Sequence, residues 1–213
     1  MKKTFLLLAL TAALTFSSCG KAAPGGDTAP TATPAPTATA VPATGSDRQD
    51  GERFDTVIVM EGMEETVHYS HVRDDTLGFA MDYDYESFTR FIDPEREWFV
   101  SVYDDENAPE NYLEVRPDTR SAELAAEEIG AALSEEYDIL TDDHELERAG
   151  LCLRIEASAI KGTNRMAEQL QAVYIIPAAD GCLVATAHYS LEGAEGFGRR
   201  FAYMLATLEV LDR

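Results

Sequence analysis

The sequence predicts an α+β domain, a mostly antiparallel β-sheet with helices packed on it. Three observations point there. Short stretches with apolar residues at every second position recur along the chain. Two longer stretches carry apolar residues at helical spacing instead. Tight polar turns join the late strand patterns into hairpins, which pair antiparallel neighbours.

The elements follow in order. Strands are predicted at 55–60 and 65–72, joined through Glu61-Gly62-Met63-Glu64. A third at 78–83 alternates Phe79, Met81 and Tyr83 with small or polar residues. Further strands at 98–103 and 112–116 flank the polar run Asp104-Asp105-Glu106-Asn107-Ala108-Pro109. A helix is predicted over 121–137. Ser121 is its N-cap, Glu123 lies near its positive end, and Ala125, Ile129, Ala132, Leu133 and Tyr137 form its apolar stripe. A three-strand meander at 151–160, 169–176 and 182–190 turns at Lys161-Gly162-Thr163-Asn164 and Ala178-Ala179-Asp180-Gly181. Val173 to Ile176 is apolar without alternation, the pattern of a central strand covered on both faces, and Pro177 ends it. A closing helix over 194–210 buries Phe197, Phe201, Met204, Leu205 and Leu208.

The N-terminus reads as an address. Met1-Lys2-Lys3 precedes an apolar run at 4–16, too short to span a bilayer, which needs about 20 residues. Leu14-Thr15-Phe16-Ser17-Ser18-Cys19-Gly20 resembles the lipobox of bacterial lipoproteins, with Phe16 where Leu is usual. That resemblance implies a signal peptide at 1–18 and a diacylglyceryl group, with further acylation, on Cys19 as the first mature residue. Two or three acyl chains hold a protein stably on a membrane, where one is marginal. The expected location is the extracytoplasmic face of the cell membrane.

Residues 19–50 change character. From Gly20 to Asp50 there are 8 Ala, 6 Thr and 5 Pro, and no aromatic residue. Such a segment cannot bury enough surface to offset its ordering entropy, so it reads as a tether of at most roughly 95 Å. The folded domain is expected over 51–213.

Within that domain, Leu77-Gly78-Phe79-Ala80-Met81-Asp82-Tyr83-Asp84 resembles the opening strand of the PsbP/Mog1-like superfamily. The helix at 121–137 and the closing Phe201-Ala202-Tyr203-Met204-Leu205-Ala206-Thr207-Leu208 fit the same pattern, while Asp84 stands in place of a common Pro and Phe88 in place of a common Trp. The likeness implies an α/β/α sandwich. It supplies no catalytic residues, and its members include assembly factors, partner-binding proteins and bacterial lipoproteins.

The chain carries 17 Lys+Arg against 39 Asp+Glu, a net charge of −22, which argues against nucleic acid and anionic membrane surfaces as partners. The charge is uneven. Residues 51–150 hold 29 acidic and 7 basic side chains, a net of −22, and residues 151–213 hold 7 and 6, a net of −1. Asp82, Asp84 and Glu86, or Asp104-Asp105-Glu106-Asn107, could offer oxygens to Ca²⁺. Neither has the spacing of a calcium loop, and a solvated acidic face explains the same residues. On a strand, Asp82 and Asp84 would share one face.

His68 and His71, three apart on a strand, should point to opposite faces; with His144 and His188 they read as structural or surface residues. No nucleophile, metal-ligand or phosphate-loop motif is present, so no enzyme activity and no cofactor are expected. Cys152 and Cys182 are expected to be unpaired and buried. The meander puts a whole strand between them, near 9.5 Å, beyond the usual reach of a disulfide at about 7 Å. The functional expectation is a lipid-anchored, non-enzymatic binding or envelope-assembly module with an unidentified envelope partner. A small-ligand or Ca²⁺-binding lipoprotein is the alternative.

Overall fold

The computed structural model describes residues 48–60 and 62–212; the expected signal peptide at 1–18, Cys19 and the part of the expected tether up to residue 47 lie outside the described residues. Eleven strands and two α-helices are present among the described residues. The order is β1 (Arg53–Met60), β2 (Met63–Asp74), β3 (Phe79–Asp84), β4 (Phe88–Ile92), β5 (Glu97–Ser101), β6 (Tyr112–Asp118), α1 (Ala122–Leu133), β7 (Tyr137–Leu146), β8 (Gly150–Ile160), β9 (Met166–Ala178), β10 (Gly181–Ser190), α2 (Arg199–Ala206) and β11 (Glu209–Val210). One sheet runs β1-β2-β3-β11 and a second runs β4-β5-β6-β10-β9-β8-β7, with every pairing antiparallel. The α+β class read from the sequence is the one observed.

Three strands escape the sequence reading. β4 and β7 are sheet edges, and β11 is two residues long. The meander therefore has four strands, β7 to β10, rather than three. The helix expected to reach Tyr137 stops at Leu133, capped by Ser134, and Tyr137 begins β7 instead. Its start is as expected, with the Ser121 hydroxyl accepting the Leu124 N–H at 3.3 Å. The closing helix is divided. A π-helical turn at Ala194–Gly198 leads into α2, and Leu208 is buried past its end.

β9 and β10 occupy the middle of the larger sheet. Alternation along β9 sends Tyr174 and Ile176 into the main core with Phe79, Met81, Phe99, Leu183 and Phe201, and sends Val173 and Ile175 to a second cluster under α1. The two-residue turn between β9 and β10 needs Gly181. Its φ is +132°, and a Cβ there would lie 2.1 Å from the Asp118 carbonyl oxygen.

Among the described residues, contacts reach back to Arg48, ahead of the expected boundary at residue 51. The Asp50 carboxylate accepts the Arg73 N–H at 3.0 Å and an Arg90 guanidinium N–H at 3.1 Å. Gly51 N–H donates to His71 C=O at 2.8 Å.

Candidate functional site

β3 is covered on both faces. Phe79 and Met81 enter the main core, while Asp82 and Asp84, at alternate positions, share the opposite face. The sheet register sets their neighbours, Asp82 facing His71 and Asp84 facing Tyr69 across the β2–β3 pair. Both carboxylates are buried. Such a burial is tolerated only where the charge is paired and its lone pairs are hydrogen-bonded.

The pairing is supplied from far along the chain. His71 Nδ1 lies 2.6 Å from Asp82, and guanidinium groups of Arg48 and Arg148 approach it at 3.3 and 3.5 Å. Arg48 also lies over the Phe54 ring, 3.6 Å from its centroid. The Asp82 N–H donates to the Thr207 hydroxyl at 2.8 Å, tying β3 to the chain after α2. Asp84 accepts the Ser87 hydroxyl at 2.6 Å and an Arg200 N–H at 2.8 Å, and Arg200 reaches on to Glu65 at 2.5 Å.

The expected shared face for Asp82 and Asp84 is thus present, but its donors already serve cationic side chains. Glu86 stands apart, exposed, 4.0 Å from His68 Nε2. Asp104 of the second acidic run accepts the N–H groups of Glu110 and Asn111 at 2.8 and 2.6 Å, which folds the loop before β6. A shallow cleft of about 370 Å³ beside it is lined by Thr89, Phe91, Val100 and Asn107. Among the described residues no three His, Cys, Asp or Glu side chains gather as a metal cage.

A second buried charge pair lies in the other sheet. Glu97 is fully buried and receives two N–H groups of Arg90, both at 2.7 Å, a two-pronged arrangement that suits the planar guanidinium. Burial pushes the Glu97 carboxyl above the usual range against the pull of Arg90. Near the start of α1, Asp118 is held well below the usual carboxylate range by Arg120, which also reaches Glu128.

The four histidines are dispersed. His68 points away from His71, its Nδ1 2.8 Å from Asp55, and that bond raises its pKa above 6.5. His144 meets the Tyr174 ring edge-on, and His188 stacks on Tyr112 with Nδ1 3.0 Å from Glu110 C=O. Cys152 and Cys182 are free and buried. Cys152 sits in the main core and Cys182 in the cluster under α1, so the two thiols lie on opposite faces of the sheet. Burial pushes the Cys152 thiol up to about 11.

Sequence reasoning missed Arg48, Arg90, Arg148 and Arg200, because no local motif around them marks a carboxylate partner. The scarcity of cations, 17 Lys+Arg against 39 Asp+Glu in the chain, was the available signal, since few exist to neutralise whatever acid the core takes in.

No protein-family model and no curated protein matches this chain. It is similar in backbone to the solution structure of cyanobacterial PsbP (CyanoP) from Synechocystis sp. PCC 6803, with a TM-score of 0.46, 8% identity, and 67% of this chain and 92% of that one covered. It is also similar to the Saccharomyces cerevisiae Ran-binding protein Mog1p, with a TM-score of 0.41, 13% identity, and 76% of this chain and 97% of that one covered. The α+β class rests on this chain's own topology, and no functional residue is carried over at these identities.

Proposed function

We propose that this chain is a lipid-anchored extracytoplasmic protein whose α+β domain is a non-enzymatic binding or envelope-assembly module. The observation that carries the reading is Cys19, placed at the end of a short apolar run behind Lys2 and Lys3 and followed directly by an Ala/Thr/Pro tether. Support for the module half comes from the polar layer. Asp82 is bonded to His71, Arg48 and Arg148, and Asp84 to Arg200, so they maintain the fold and leave the exposed surface for contact.

Membrane fractionation of cells making the Cys19→Ala chain tests the anchor. The variant is expected in the soluble fraction or retained as an unprocessed precursor. Normal processing and normal pelleting with membranes would refute it. Calorimetric titration with Ca²⁺ separates the module from the calcium-binding alternative; heat together with a rise in melting temperature would replace the first with the second.

A further inference from the structure

The sheet edges of this domain are not alike. At β1 the Tyr203 hydroxyl accepts the Val59 N–H at 3.0 Å and donates to the Val59 C=O at 3.1 Å, closing part of that edge. The opposite edge, β11, is two residues long. In the larger sheet β4 has five residues. β7 has ten, pairs with β8 on one side, and has no backbone partner for its other side among the described residues. A long strand with a free row of N–H and C=O groups is a template for another strand.

Two further features describe what would fit. Between α1 and β7 runs a shallow groove of about 420 Å³, floored by Ala126, Gly130, Ala131 and Ile139 with Glu127 at its rim. On the other face of the strand Leu140 is 58% exposed. Along the strand stand Asp138, Asp142, Asp143 and Glu145, with no Lys or Arg from Tyr137 to Glu147. Arg154 alone approaches them, 3.7 Å from Asp142, and it also binds Glu156 at 2.6 Å. Two copies joined edge to edge would set carboxylate against carboxylate, which opposes pairing. A basic strand reverses that sign.

We propose that β7 is a docking edge for an extended, Lys/Arg-rich segment of a partner protein, which adds as an eighth strand to the seven-stranded sheet. Main-chain hydrogen bonds to β7 supply the register; alternate apolar side chains lie over the α1–β7 groove on the face of Ile139, and the basic side chains between them lie on the other face, with Asp138 and Asp142. The inference rests on the binding-module reading and gives that module the chemistry of its partner.

The test uses the full chain and a fluorescent nonapeptide alternating Lys and Val. Saturable binding is expected, with slowed hydrogen exchange at backbone amides of β7. Asp142→Lys, at an exposed position on the face that meets the basic side chains, should weaken binding about tenfold or more with a nearly unchanged melting temperature. The same peptide N-methylated at its valines, which keeps the charge and removes main-chain donors, should also lose about tenfold or more. Equal binding of the N-methylated peptide, or exchange at β7 unaltered by the parent peptide, would overturn strand addition. Self-association that slows exchange in β7 would make a second copy the occupant and overturn the basic partner. Absent peptide binding, with Cys19→Ala still releasing the chain from membranes, would remove β7 as the contact edge and leave the module reading intact.

Discussion

Residues 51–150 and residues 151–213 meet in one sheet, yet they solve different problems. The later stretch, with 7 acidic and 6 basic residues, supplies β9 and β10 at the sheet's centre. There Val173, Tyr174, Ile175 and Ile176 are buried in succession between α1 and the main core. A charge at those positions would lose its water on both faces. The earlier stretch, with 29 acidic and 7 basic residues, supplies both edges of that sheet and most of the smaller one. Its carboxylates divide into two populations. Asp82, Asp84, Glu97 and Asp118 are bonded to arginines, whereas Asp143, Glu145 and their neighbours on β7 face solvent. Local charge density therefore does not locate a surface; burial and pairing do.

The sharpest contrast is in the central strands. Iodoacetamide should modify Cys152 and Cys182 more than about a thousandfold slower in the folded chain than in urea, since exposure requires opening of a domain with typical stability. Mass spectrometry after timed labelling reads this, and a bridged peptide joining the two cysteines would contradict the opposite-face geometry.

Next comes the buried pair of the acidic stretch. Glu97→Ala leaves Arg90 beside an emptied, water-poor site and should cost about 3–5 kcal/mol by urea denaturation. Replacing both partners with apolar residues should recover most of that loss. If Glu97→Ala alone costs under about 1 kcal/mol, the pair behaves as a surface bridge and the division into two populations fails.

The smallest effect belongs to the exposed charges. Bonding to Asp55 raises the His68 pKa above 6.5, so the associated stability is fully present below the unfolded value and is lost as pH rises through the folded one. NMR titration of the His68 ring should give a midpoint above 6.5 that falls toward it in Asp55→Asn. A midpoint unchanged by that substitution would remove the bond as the cause.

The sequence reading succeeded where burial writes itself into spacing. Phe79, Met81 and Tyr83 mark β3 because one face of the strand meets the core, and Val173 to Ile176 mark β9 because both faces do. β7 was missed for the converse reason. It is an edge strand with most of its ten residues exposed, so Asp142, Asp143 and Glu145 interrupt the alternation that would reveal it. β4 fails similarly, being five residues long with only Phe88 buried. The acidic positions Asp82 and Asp84 were legible as a shared face. Their partners were not.

Composition and spacing alone determined the α+β class, the Ser121 cap, the turn at Gly181 and the separation of an acid-rich stretch from a neutral one. These are local properties, set by side-chain period and backbone preference over a few residues. Only the tertiary structure decided what each carboxylate meets. Asp82 draws its bonds from His71, Arg48 and Arg148, which lie 11, 34 and 66 positions away. Strand register and loop paths bring those groups together, and no local pattern encodes a distance that the chain closes only when it folds.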